Sequence, residues 1–262
     1  MINPVPFLFG LSAVLLGTST GSYARAQADQ SIERTDPEAK IAHQQLLAKA
    51  RQGRVDLYFL GDSITRRWGA IDYPELLAHW NETFFGWNAA NFGWGGDKTQ
   101  NIIWRLENGE LDGVNPKVVV LLAGTNNIGR NPHAGTAGEI AAGVRKILDI
   151  IQTKAPHARI ILMAVFPRND IAPANATIQD LNIRIAKFAD GDRIRFLDIN
   201  HLLADPTGRL HDEVTTDKLH LTLTGYRIWG EALKPLLLEL LGPPAEVDHA
   251  PPPTGKPQLN SE

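Results

Sequence analysis

Short apolar runs alternate with amphipathic stretches along most of the chain. The runs are Val55 to Leu60, Ala89 to Phe92, Val118 to Ala123, Ile160 to Val165 and Ile194 to Leu197. They are rich in Val, Ile, Leu and Phe and show little polar alternation, the pattern of strands buried on both faces of a parallel sheet. Between them, apolar residues recur at three- and four-residue steps. The clearest case is Ile140, Val144, Ile147, Leu148 and Ile151, which stripe one face of a helix. Helices are expected near 37–52, 73–80, 98–108, 136–154, 174–190 and 224–241, the last with Thr224 as a candidate N-cap. Strand and helix in turn predict an α/β fold, a three-layer α/β/α sandwich around a parallel sheet of about five strands.

Both ends of the chain break this pattern. Val5 to Leu16 is apolar but shorter than the roughly 20 residues of a membrane span. Ala24-Arg25-Ala26 and Ala26-Gln27-Ala28 then offer small-x-small cleavage sites. Residues 1–28 are therefore expected to be a signal peptide, the mature protein exported (periplasmic or extracellular) and free of stable membrane insertion. After Leu241 the prolines at 243, 244, 251, 252, 253 and 257 forbid helix and central strand. The expected organisation is one folded domain over 29–242, with its compact body from about 36, and a disordered Pro-rich tail over 243–262.

Composition narrows the chemistry. A net charge of -3 gives no bulk attraction to nucleic acid or an anionic surface. The absence of cysteine removes disulfides, thiolate metal sites and cysteine nucleophiles.

In open α/β sheets ligands bind beyond the carboxyl ends of the strands, so the residues just after each apolar run carry the functional reading. The first run ends in Gly61-Asp62-Ser63, where a tight turn can lift a serine hydroxyl above the sheet at the start of a helix. The second ends in Gly93-Trp94-Gly95-Gly96-Asp97, whose glycines leave backbone N–H groups open to a ligand. The third ends in Gly124-Thr125-Asn126-Asn127, with two side-chain amides able to donate to an oxyanion. Near the C-terminus, Asp217-Lys218-Leu219-His220 can place a carboxylate behind an imidazole. Each motif alone is also ordinary turn chemistry. Their joint order points to nucleophilic catalysis by Ser63 with His220 as base.

These blocks resemble the signature blocks of the SGNH (GDSL-type) hydrolases. Asn91 to Asp97, Trp104 to Leu111, Gly124 to Asn127, Phe166-Pro167-Arg168 and Leu219-His220-Leu221 are closest to the catalytic subunits of intracellular platelet-activating-factor acetylhydrolase. The resemblance spans roughly residues 55 to 240. It implies a flavodoxin-like sheet and hydrolysis of short-chain, acetyl-type esters without cofactor or metal. It assigns the catalytic roles to Ser63, Asp217 and His220. The oxyanion donors would be the N–H groups of Ser63 and Gly96 and the Asn126 amide. Asp62, Trp94 and Asn127 would border the substrate, and residues 129–136 stand near where an acyl pocket would be lined. The substrate would be a small-molecule or glycan ester, an acetylated carbohydrate or a lipid ester. Two other readings of the same residues stay open. One is a metal-dependent phosphoesterase using Asp62, Asp97, Asn126 and His220. The other is a non-catalytic envelope module that binds acylated glycans.

Overall fold

The computed structural model describes residues 27–129 and 135–258, together with Met1. The expected signal peptide and the middle of the 129–136 segment fall largely outside these residues. Five strands form one parallel sheet: β1 (Leu57–Gly61), β2 (Ala89–Gly93), β3 (Val118–Leu122), β4 (Arg159–Met163) and β5 (Ile194–Leu197). Their order is β2-β1-β3-β4-β5, with Leu57 opposite both Ala89 and Val118. The chain thus leaves β1 to either side, and β1 and β3 flank the point where the winding reverses. Crevices for ligands form at such points.

Eight α-helices are seen among the described residues: α1 (Pro37–Ala50), α2 (Ser63–Trp68), α3 (Pro74–Phe84), α4 (Thr99–Arg105), α5 (Ala137–Lys154), α6 (Ala174–Ile185), α7 (Asn200–Leu203) and α8 (Leu223–Leu241). Side-chain alternation along the strands divides the core. Tyr58, Leu60, Val119, Leu121, Ile160 and Leu162 pack with the stripe of α5 and with α4 and α6. Leu57, Phe59, Val118, Val120, Ile161 and Met163 pack with Trp68, Trp80, Phe84, Tyr226 and Trp229 on the other face. Every residue of the predicted α5 stripe is buried. The start of α5 is fixed by a reciprocal cap between Thr136 and Glu139.

Three expectations change. Thr222 rather than Thr224 caps α8, because the helix begins one residue earlier and the Thr222 hydroxyl accepts from Gly225 N–H. Helix α7 lies within a stretch where no helix was drawn, four residues being too few to show periodicity, whereas α2 is the short helix expected to open at Ser63.

The third change is the C-terminal segment, expected as a disordered tail. Residues 243–258 form no helix or strand, as their prolines require, yet they run as a strap beside the edge strand β2. Asp248 accepts from the N–H groups of Gly86 and Asn88, His249 N–H donates to Asn88 Oδ1, and Thr254 takes a hydrogen bond from Lys49. Pro251 and Pro257 are buried. Proline content speaks against secondary structure but not against docking, because Lys49, Gly86 and Asn88 of the body supply the missing partners.

Candidate active site

The carboxyl ends of β1, β2 and β3 lead directly into the residues singled out above. Gly61 ends β1 where no side chain fits: a Cβ there would lie 2.6 Å from the Leu122 carbonyl oxygen. Asp62 then caps α2, its Oδ1 accepting from Ile64 N–H at 2.9 Å. This places Ser63 in the first turn, where unpaired helix N–H groups favour negative charge. Beneath α2, Tyr226 Oη donates to the Ile64 carbonyl at 2.6 Å and Trp68 packs against Phe59, Tyr226 and Trp229. A rigid aromatic layer therefore fixes the helix that carries Ser63.

His220 arrives from the far end of the chain. Its Nε2 lies 2.9 Å from Ser63 Oγ and its Nδ1 lies 2.7 Å from Asp217 Oδ2. The Asp217 carboxylate also accepts the backbone N–H groups of Leu219 and His220. Lys218, between them, adopts φ +70°, the left-handed conformation that closes this short turn. Asn169 N–H donates to the Lys218 carbonyl at 2.8 Å, so the loop after β4 anchors the turn. Burial would raise the Asp217 carboxyl, but hydrogen bonds from the His220 N–H, the imidazole and the Leu219 N–H bring it down to about 2. Burial lowers His220 below the ordinary histidine value; the Asp217 hydrogen bond opposes this, and Arg67 and Arg168 add to it.

The loop after β2 lies against the serine. A Cβ on Gly95 would stand 3.9 Å from Ser63 Cβ, and Gly96 takes φ +80°. From β3, Asn126 Nδ2 donates to the Asp97 carbonyl at 2.9 Å, which uses one of its two N–H bonds. Ser63, Gly96 and Asn126, the expected oxyanion donors, thus belong to one cluster.

The three residues expected to border the substrate have other surroundings. Asn127 is buried, accepts from Thr99 N–H and donates to Thr99 Oγ1 and Gln100 Oε1, so it ties β3 to the start of α4. Trp94 packs on Ala39 and Ala42 of α1 with the Arg66 guanidinium over its ring. It lines a cavity of about 280 Å³ between α1 and α4 that does not include Ser63. The long indole finds apolar cover there, which the strand exit does not offer. Asp62 is buried beneath the nucleophile turn. Burial pushes its carboxyl up to about 7; the Ile64 N–H and Arg168 oppose this, and Asp97 reinforces it.

Three arginines were not singled out from the sequence. Arg105 is buried and joins Asp97 Oδ2 at 2.7 Å, Glu110 Oε2, and the carbonyl of Phe92. Arg34 reaches Asp97 from the other side at 3.3 Å. Asp97 is therefore saturated by cations of the chain itself, which leaves the phosphoesterase reading without one of its ligands. Arg168 spans from Thr125, next to Asn126, to Asp170. Arg105 and Arg168 sit inside the quoted blocks, Trp104 to Leu111 and Phe166 to Arg168. Arg34 has no such signal.

A serine, a histidine and an aspartate in one hydrogen-bonded line at the carboxyl edge of a doubly wound sheet are the architecture of an ester-hydrolysing enzyme. The chain belongs to the GDSL-like lipase/acylhydrolase family, which matches residues 59–228. It is 34% identical over 203 residues to platelet-activating factor acetylhydrolase IB subunit alpha1 of Homo sapiens, covering 76% of this chain and 82% of that one. Its fold is similar to a GDSL-like lipase from Bacteroides thetaiotaomicron (TM-score 0.60, 20% identity, 76% and 97% of the two chains). It is also similar to a variant of an acetyl-xylooligosaccharide esterase from Geobacillus stearmophilus (TM-score 0.54, 19% identity, 70% and 93%).

Proposed function

We propose that the chain is an exported serine esterase that removes short, acetyl-type acyl groups through an acyl-enzyme. The observation that carries this reading is the 2.9 Å separation of His220 Nε2 from Ser63 Oγ. Ser63 Oγ attacks the acyl carbonyl while its proton passes to Nε2. The tetrahedral oxyanion takes hydrogen bonds from the Ser63 and Gly96 N–H groups and the free N–H of Asn126. Collapse returns the proton to the leaving alcohol. A water activated by the same nitrogen then releases the acid. Asp217 holds the imidazole with Nδ1 protonated and offsets the charge that His220 acquires.

The acetyl preference rests on the curated relative, whose name is an acetylhydrolase. The alcohol half is a small molecule, a lipid or a glycan, and the assay below separates these. Export rests on the apolar stretch Val5 to Leu16 and the alanines that follow it. Ala28 is buried and its carbonyl accepts from Thr99 Oγ1 at 2.6 Å, which supports cleavage after Ala26 rather than after Ala28.

The test is hydrolysis of p-nitrophenyl acetate, butyrate and octanoate by the chain from Gln27, beside Ser63→Ala, with and without chelator. Serine-dependent, chelator-insensitive release that favours acetate is expected; acetylated xylan and acetylated phospholipid then assign the alcohol half. Binding of acylated glycans by wild type and Ser63→Ala alike, without turnover, would replace the esterase by a binding module. N-terminal sequencing of the protein exported by a bacterial host checks the cleavage site.

A further inference from the structure

Arg34 precedes α1 and lies outside residues 59–228, so the family pattern does not supply it. Its guanidinium crosses to the loop after β2. Nη1 donates to the Gly95 carbonyl and to Asp97 Oδ1, while Nε donates to Asp36 Oδ2 at 2.9 Å. A peptide group is planar and trans, so the Gly95 carbonyl and the Gly96 N–H point in opposite directions. Whatever holds the carbonyl also aims the N–H. Neither glycine has a side chain to resist rotation of this plane, and Gly96 already sits at φ +80°. The loop's own turn bond, from the Asp97 N–H to the Trp94 carbonyl at 3.3 Å, is compatible with either orientation of this plane.

We propose that Arg34 is a positioning residue for the ester hydrolysis described above, locking the Gly95–Gly96 peptide with the Gly96 N–H turned to the oxyanion beside Ser63. The inference rests on that reading of Ser63 and deepens it. Asp36 braces the guanidinium, and the Asn126 amide braces the loop from its other side through the Asp97 carbonyl. The cationic partner also polarises the peptide and strengthens its N–H as a donor. Arg34 touches the donor loop and not the substrate.

The test compares wild type, Ser63→Ala, Arg34→Ala and Arg34→Lys on p-nitrophenyl acetate. Deleting an oxyanion donor outright costs about 10²–10³ in kcat, so misaiming one is expected to cost roughly tenfold or more, with KM changed less than about threefold. Millimolar guanidinium should restore part of the loss in Arg34→Ala and do nothing for wild type. Arg34→Lys should fall between, because an ammonium cannot reach Gly95 and Asp36 in the same fork, and it serves if Arg34→Ala fails to fold. Unchanged kcat, or a loss that follows a lower melting temperature and ignores guanidinium, overturns the proposal. An inactive wild type would instead overturn the esterase reading. The peptide is then read from a crystal structure of Arg34→Ala, where a plane unchanged from wild type overturns the lock.

Discussion

His220 Nε2 stands 2.9 Å from Ser63 Oγ although 157 positions separate the two residues. The contact is made because β1 is an interior strand at the point where the winding reverses and the loop before α8 folds back over its carboxyl end. Two anchors hold that loop: Asn169 pairs with Leu210 and Lys218, and Tyr226 reaches under α2. The base is thus positioned from both sides of its own turn.

Asp217→Asn tests how much of this depends on charge rather than on reach. An amide keeps the side chain's shape but donates where the carboxylate accepts, which favours the wrong tautomer of His220. A loss of about 10⁴ in kcat is expected, with the melting temperature nearly unchanged because Asp217 is exposed. Steady-state kinetics beside circular dichroism checks it; a loss under tenfold would remove Asp217 from the mechanism.

The pH profile follows from burial. His220 must be neutral to accept the serine proton, and its environment favours the neutral form. The acid limb of kcat/KM is therefore expected below the ordinary histidine value of about 6.5. The Arg67 guanidinium, 3.2 Å from Asp217 Oδ2, contributes to this depression. Arg67→Met should move the acid limb to higher pH, because the protonated imidazole then loses a like-charged neighbour and faces an unshared carboxylate. An acid limb that stays put in this variant would mean that Arg67 has no electrostatic part in the base.

Much of this arrangement is legible in the sequence. Apolar runs with little polar alternation mark strands covered on both faces, and the strand exits carry Gly61-Asp62-Ser63, Gly95-Gly96 and Asn126. The Asp217 to His220 step is readable because a three-residue turn brings both groups together locally. Pairings between distant segments are not. Nothing near Arg34 or Arg105 shows that both converge on Asp97, because an ion pair across 63 residues leaves no local periodicity. Trp94 and Asn127 mislead for the same reason. Their neighbours in sequence are strand ends, but what they touch is α1 and α4.

Arg105→Met tests the buried cluster under the donor loop. Asp97 and Glu110 are fully buried, and Arg105 binds both. Removing one partner of such a cluster strands the remaining charges and costs about 3–5 kcal/mol, or a melting temperature lower by about 10 °C. Differential scanning calorimetry measures it. The burial cost already pushes Asp97 up to about 6 despite Arg105 and Arg34, so losing Arg105 should raise it further. The variant should accordingly recover stability at low pH, where Asp97 is neutral, and a penalty equal at pH 5 and pH 8 would contradict this account.

Truncation after Gly242 tests the strap. β2 is an edge strand, and unpaired edges invite pairing with other chains unless covered. Removing residues 243–262 should therefore lower the melting temperature by about 5 °C, a few kcal/mol for a domain of this size, and promote self-association in light scattering. Lys49 adds a pH signature. Its amine is buried against the strap, donates to Asn91 O and Thr254 Oγ1, and is lowered by burial to about 7. A depressed amine favours the fold fully above the unfolded value near 10.5, and that contribution is lost as pH falls through about 7. Without the strap Lys49 is hydrated and titrates near its ordinary value, so this dependence disappears. The stability gap between the full and truncated chains should widen as pH rises from 7 towards 10. A constant gap would leave Lys49 charged in both chains, and no gap at any pH would return residues 243–258 to the status of a passive tail.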